Sequence, residues 1–275
     1  MSKIFAITNQ KGGVGKTTTS VNLAASLSAR KKKVLLIDLD PQGNATMGSG
    51  VDKNDVELSV YDMLVRQKSP LDILIHCKDS GFDILPANAD LTAAEVEMLN
   101  IMMKEHRLRI ALKQVSGDYD YILIDCPPSL NMLTVNALVA AQGVVIPMQC
   151  EYYALEGLSD LLQTVRQINS SVNPGLVVEG VVRTMYDPRN SLTNEVSSQL
   201  ETYFGNALLK TTIPRNVRLA EAPSYGLPAL YYDETSKGAT SYLALADELI
   251  ARHETVQNDQ NGNGQSGLKV EENNG

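Results

Sequence analysis

With 275 residues, 43% of them hydrophobic, the chain is long enough for one large α/β domain or two small ones and is not a mostly disordered polymer. A formal charge of −8 excludes a protein that is basic all over, while leaving room for a local basic patch that meets nucleic acid. Trp is absent and aromatic residues make up 5%, so the core must be aliphatic.

The first apolar run, 3–8, reads as a strand, and 16–30 follows as a helix with Leu23, Ala24 and Leu27 on one side. The run 34–38 (Val-Leu-Leu-Ile-Asp) is short and apolar up to its last residue, as expected of a parallel strand covered on both faces. Further strands are predicted at 82–85, 121–125, 144–147, 176–184 and 208–213, and helices at 59–66, 91–115, 130–141, 155–168, 191–204 and 239–252. This alternation predicts an α/β fold, a doubly wound and mostly parallel sheet with helices on both faces. From 257 to 275, twelve of nineteen residues are Gly, Asn or Gln, a composition that buries too little apolar surface to offset ordering entropy. The expected division is one domain over 1–254 and a disordered polar tail over 255–275.

Cys77, Cys126 and Cys150 are odd in number and lack C-x-x-C spacing, so neither a disulfide framework nor a zinc site is indicated. The 25 residues from Cys126 to Cys150 carry no charge, but Pro127, Pro128, Asn131, Asn136, Gln142, Gly143 and Pro147 interrupt them. They read as loop, buried helix and buried strand, not as a membrane span. A soluble chain of the reducing cytosol is expected.

Directly after the first strand comes Lys11-Gly12-Gly13-Val14-Gly15-Lys16-Thr17-Thr18. Its end fits the phosphate-binding P-loop, although Gln10 stands where that pattern has Gly. Glycines let backbone N–H groups approach phosphate oxygens, and the helix that follows offers its positive end. Lys16 would neutralise β/γ oxygens, and the Thr17 hydroxyl would ligate Mg²⁺. Asp38 and Asp40 end the second strand on one side of it, at the sheet edge where open α/β folds place ligands. A carboxylate there can orient or deprotonate a water, or hold a metal through water. Asp125 closes the buried run Ile122-Leu123-Ile124 in the form of a Walker B acid.

The Lys-Gly-Gly-Val-Gly-Lys-Thr loop resembles the deviant Walker A family, which includes ParA, MinD, the nitrogenase iron protein and the anion-pump ATPases. Within it, the likeness to chromosomal ParA proteins of the Soj type runs from Met1 to about Arg252. It is most specific over 38–46, 125–129, 149–157, 213–218 and 221–224. The resemblance implies that Lys11 reaches across a two-fold interface to a partner's ATP, with Gly12 where the two loops face each other. A solvated loop lysine is the plainer alternative. It further implies a water-directed role for Asp40, a metal-side role for Asp38 and Asp125, Met185, Pro214 and Asn216 near adenine, and Glu151 near ribose across the dimer. An Asx turn before Pro41 remains the alternative, more for Asp38 than for Asp40.

Arg183, Arg189, Lys210, Arg215 and Arg218 are interrupted by Asp187, Glu195 and Glu201, and composition alone makes them a solvated surface. The ParA resemblance marks Arg189 and Arg218 as sequence-independent DNA contacts. The cluster Arg30-Lys31-Lys32-Lys33 reads as a helix C-terminus complementing its dipole. A MinD-like regulator, the alternative within the family, needs a basic amphipathic C-terminal helix for membrane contact, and the end of this chain is polar and acidic. No stable membrane contact is expected. The expected protein is a Mg-ATP-dependent homodimerising ATPase on the nucleoid that binds double-stranded DNA and works with a ParB-type partner.

Overall fold

The computed structural model describes residues 2–151 and 154–262, with side chains described for 2–151 and 158–254. In chain order the elements are β1 (Lys3–Ile7), α1 (Lys16–Ala29), β2 (Val34–Asp38), α2 (Asn44–Gly48), α3 (Val60–Leu64), α4 (Pro70–Ile73), β3 (Ile75–Cys77), β4 (Phe82–Leu85), α5 (Leu91–Glu97) and α6 (Arg107–Leu112). The second part adds β5 (Tyr121–Asp125), α7 (Met132–Ala140), β6 (Gly143–Gln149), α8 (Ala154–Ser171), β7 (Val177–Tyr186), α9 (Ser191–Phe204), β8 (Leu208–Pro214), α10 (Val217–Glu221), α11 (Ala229–Tyr232) and α12 (Lys237–Gly262).

The strands form one eight-stranded sheet in the order β3-β4-β2-β5-β1-β6-β7-β8. All neighbours run parallel except β3, which pairs antiparallel with β4 at the edge. From β1 the chain winds outward on one side, returns at β5, and then winds outward on the other through β6, β7 and β8. Winding in both directions puts helices on both faces and opens a crevice at the C-terminal ends of the central strands.

Each face has its own core, because alternate strand residues point to opposite sides. Leu35, Ile37, Ile122 and Ile124 pack under α3 and α5–α9 with Leu64, Leu108, Leu138, Leu161 and Leu200. Leu36, Leu123, Phe5 and Ile7 pack under α1 and α12 with Leu23, Leu27, Tyr242 and Leu245. Burial on both sides explains why β2 and β5 are apolar up to their terminal acids. In register, Ile7 and Asp38 both lie opposite Asp125. At the other end of β2 and β5, the Lys33 N–H donates to the Asp120 carboxylate at 2.8 Å, and the Asp120 N–H returns a bond to the Lys33 carbonyl at 2.8 Å.

The helix predicted over 91–115 is broken. After α5 the chain makes two short 3₁₀ turns around Met103, whose φ of 54° is left-handed, before α6 begins. Buried Asn136 on α7 accounts for the break: its side-chain oxygen accepts from Leu108 N at 3.1 Å and its amide donates to the Lys104 carbonyl at 2.8 Å. A tertiary contact there replaces helical hydrogen bonds. Beyond the predicted end at 252, α12 continues to Gly262, with no Gly or Pro intervening after Arg252. Residues 263–275 of the predicted tail lie outside the described residues. Cys77, Cys126 and Cys150 are buried free thiols, each pushed above its ordinary range by burial. Among the described residues, no helix is long and apolar enough to cross a membrane.

Candidate nucleotide site

The loop between β1 and α1 takes its shape from Gly13 and Gly15, whose φ values of 75° and 86° are left-handed, a conformation that side chains with a Cβ rarely adopt. Gly15 caps α1, so the first N–H groups of the helix are left open to the crevice. Lys16 is 8% exposed and donates from Nζ to the Lys11 carbonyl at 3.2 Å. Burial pulls its pKa down, while the charges of Asp125 and Asp40 oppose that shift, so both carboxylates face it. Two residues outside the loop hold it in place. Asn9 accepts from Lys11 N at 3.0 Å and donates to the Pro147 carbonyl at 2.8 Å. Thr184 donates to the Val14 carbonyl at 2.8 Å.

Asp38 and Asp125 stand side by side on neighbouring strands, both fully buried. Asp125 accepts from the Thr17 hydroxyl at 2.8 Å and from the Ser20 hydroxyl at 2.7 Å. Asp38 accepts from Asp40 N at 3.1 Å and from Thr46 N and the Thr46 hydroxyl at 2.8 Å each. Burial drives both carboxyls above the ordinary carboxylate range, and their mutual repulsion adds to the shift of Asp125. A threonine hydroxyl beside two hard carboxylates, whose charged forms burial disfavours until a cation arrives, is a donor set suited to Mg²⁺, which takes few protein ligands and completes its shell with phosphate and water. Asp40 is half-buried and accepts from Gln42 N at 2.9 Å.

Behind Gly15 and Thr18 lies a cavity of about 280 Å³, also lined by Thr184, Met185, Pro214, Asn216, Leu219 and Tyr242 among others. Met185, Pro214 and Asn216, singled out from the sequence, thus meet the phosphate loop. Asn216 spends its side-chain oxygen on capping α10 through Arg218 N at 2.9 Å, which leaves its amide as donor to the cavity. Lys11 and Glu151, both expected at a dimer interface, are paired with each other within one chain at 2.6 Å, each nearly half exposed. An added Cβ at Gly12 meets nothing within 4 Å.

The basic residues divide into two groups. Arg183 is 8% exposed and bonded to Ser197 and to the Leu209 and Lys210 carbonyls, so it is a core residue and not the solvated surface cation expected from composition. Arg189 is 89% exposed, and its guanidinium is clasped by Asp187. Arg218 is about half exposed and paired with Glu221 and Asp233. The cluster at 30–33 lies just past α1, with Arg30 bonded to Asp247 and Lys32 to Glu254. Sequence reasoning missed Ser20, Thr46, Thr184 and Asn9. Ser20 was accessible to it, because it lies one helical turn after Lys16 and Thr17.

Residues 2–178 match the family described as "AAA domain". The sporulation initiation inhibitor protein Soj of Bacillus subtilis is 55% identical over 91% of this chain and 99% of that protein. The chromosome partitioning protein ParA of Caulobacter vibrioides is 47% identical over 93% of this chain and 96% of that protein. A crystal structure named as cobyrinic acid a,c-diamide synthase of Mycobacterium smegmatis, with bound ADP and magnesium, superposes with a TM-score of 0.81 at 36% identity, over 92% of this chain and 96% of that one. With its phosphate loop, paired carboxylates and similarity to Soj and ParA over nearly its full length, the chain belongs to the ParA/Soj family of P-loop ATPases.

Proposed function

We propose that the protein is a Mg-ATP-dependent switch: it binds ATP, closes into a homodimer, holds double-stranded DNA without sequence preference while dimeric, and releases it after hydrolysis. A ParB-type DNA-bound protein is the trigger, and the place of action is the nucleoid in the cytoplasm. One observation carries the reading. Lys16, Thr17, Asp38, Asp40, Asp125 and the cavity behind Gly15 come from separate parts of the chain and converge on one sheet edge. In this reading the N–H groups of 12–18 and Lys16 cradle phosphate oxygens, while Thr17 and Asp125, with Asp38 through water, face the metal. Bound magnesium supplies charge neutralisation at those oxygens. Asp40 orients the attacking water and takes its proton. Met185, Pro214 and Asn216 take the adenine, and Lys11 and Glu151 exchange their mutual pair for the partner's nucleotide. Arg189 and Arg218 take DNA phosphates. The Caulobacter vibrioides relative, named for chromosome partitioning, supports this over a synthase reading, because it shares more identity with this chain than the structure named as a synthase does.

Gel filtration and nucleotide binding test the proposal. The wild type should be monomeric without nucleotide or with ADP and dimeric with Mg-ATP, and only the dimer should retain duplex DNA. Asp40→Ala should bind ATP and accumulate the dimer, whereas Lys16→Ala should lose both. An Asp40→Ala protein that stays monomeric in saturating Mg-ATP overturns the assignment, and ATP-dependent liposome binding favours the MinD-like reading instead.

A further inference from the structure

The segment 38–46 begins and ends on the same buried carboxylate. One Asp38 oxygen accepts from Asp40 N, and the other accepts from both the N–H and the hydroxyl of Thr46. The direction of the hydroxyl bond is settled by a third partner. Ala87 N donates to Thr46 Oγ1 at 2.9 Å, so the single hydroxyl hydrogen is left to point at Asp38. Thr46 is fully buried and lies in α2, and Ala87 lies just beyond β4. The loop is therefore closed into a ring on Asp38 and tied to the neighbouring strand. Within that ring Asp40 is fixed at both backbone ends: its N–H on Asp38, and its carbonyl accepting from Gly43 N at 2.9 Å. Its carboxylate is steadied at one oxygen by Gln42 N.

We propose that Thr46, acting through Asp38, is a positioning residue that holds the Asp40 carboxylate at its working place over the phosphate site. The inference rests on the reading of Asp40 as the water-directed group. Four bonds on Asp38 and Thr46 join the start of this loop to its end and, through Ala87, to the chain just beyond β4. Removing the hydroxyl leaves the Ala87 N–H without its acceptor and takes one of three donors from Asp38. The loop is then free to shift, while Lys16, Thr17 and the adenine cavity, which stand on other elements, stay in place. Misplacement of a catalytic group by about 1 Å can cost on the order of a hundredfold in rate.

Thr46→Val, which keeps shape and removes the hydroxyl, should lower kcat about ten- to a hundredfold. It should leave ATP affinity within about twofold of wild type, as a change in turnover without a change in ground-state binding requires. It should also accumulate the ATP-bound dimer. Thr46→Ser, which restores the hydroxyl, should recover kcat. If Thr46→Val does not fold, Thr46→Ala is read in its place with the same expectation. Wild-type kcat in the hydroxyl-less variant, loss of ATP affinity in parallel with kcat, or failure of serine to rescue each overturns the positioning role. Asp40→Ala in the same assay separates the two levels: if it hydrolyses ATP normally, the underlying reading of Asp40 fails, whereas an inactive Asp40→Ala beside a normal Thr46→Val defeats the positioning role alone.

Discussion

Replacing Arg189 and Arg218 by Glu tests the DNA surface directly. Arg189 and Arg218 give each subunit two guanidiniums at this surface, so a dimer that used both would neutralise about four phosphates, for a log–log salt slope near −3.6 on duplex DNA. Raising salt from about 50 to about 200 mM would then weaken binding roughly a hundredfold. The structure makes that number a ceiling. Arg189 is clasped by Asp187, and Arg218 by Glu221 and Asp233, so each phosphate competes with a carboxylate already in place. The two Glu substitutions set like charge against Asp187, Glu221 and Asp233, and should abolish DNA retention equally for unrelated duplex sequences while ATP-driven dimerisation persists. The assay is fluorescence anisotropy of labelled duplexes in Mg-ATP across that salt range. Equal affinities and slopes for wild type and the double variant would refute the assignment and move attention to the cluster at 30–33.

Gly12→Val should leave melting temperature and ATP affinity close to wild type, because the added side chain begins in open space within the chain, but should block ATP-dependent dimerisation; normal dimers on gel filtration would put the two-fold contact elsewhere. Burial raises the pKa of Glu179, but the hydrogen bond from His253 at 3.0 Å and the charges of His253, Arg252 and Lys3 outweigh burial and hold it below its ordinary range. Its stabilising effect is thus present above the unfolded value of about 4.3 and is lost as pH falls through the lower folded value. Glu179→Gln should lower the melting temperature at neutral pH and flatten its acid limb below pH about 4.5; a curve parallel to wild type would show that the pair contributes nothing.

Chemically distinctive segments were legible in the sequence. Val-Leu-Leu-Ile-Asp and Tyr-Ile-Leu-Ile-Asp form β2 and β5 with the predicted ends, because complete burial on two faces leaves an unbroken apolar run. The phosphate loop could be read from Gly15, Lys16 and Thr17 because positive φ and phosphate binding each demand particular residues. β3 could not: it has three residues with an exposed His76 at its centre, and edge pairing with β4 supplies what its pattern lacks. Nor could the break near Met103, since its cause is Asn136, far along the chain. The convergence of Met185, Pro214 and Asn216 on the cavity behind Gly15 was reachable only by resemblance, because nothing local in 184–220 refers to the phosphate loop. The role of Thr46 was hidden for a related reason: its partners Asp38 and Ala87 become neighbours only when β2 pairs with β4.

The twin strands β2 and β5 raise a problem of alignment. Both are buried throughout and apolar except at the last residue, so sliding one past the other by a step exchanges one greasy neighbour for another and meets little resistance from the core. Ordinary half-exposed strands resist slippage because a single step turns their polar side inward. These have no such guard along their length. Alignment must come from the ends, and at the N-terminal end the reciprocal bonds between Lys33 and Asp120 supply it. That clasp lies at the opposite edge of the sheet from the crevice, yet with the Leu39 N–H on the Asp125 carbonyl it helps bring Asp38 opposite Asp125 and not one residue out of step. The chemistry at one edge is thus indexed in part by a surface contact at the other.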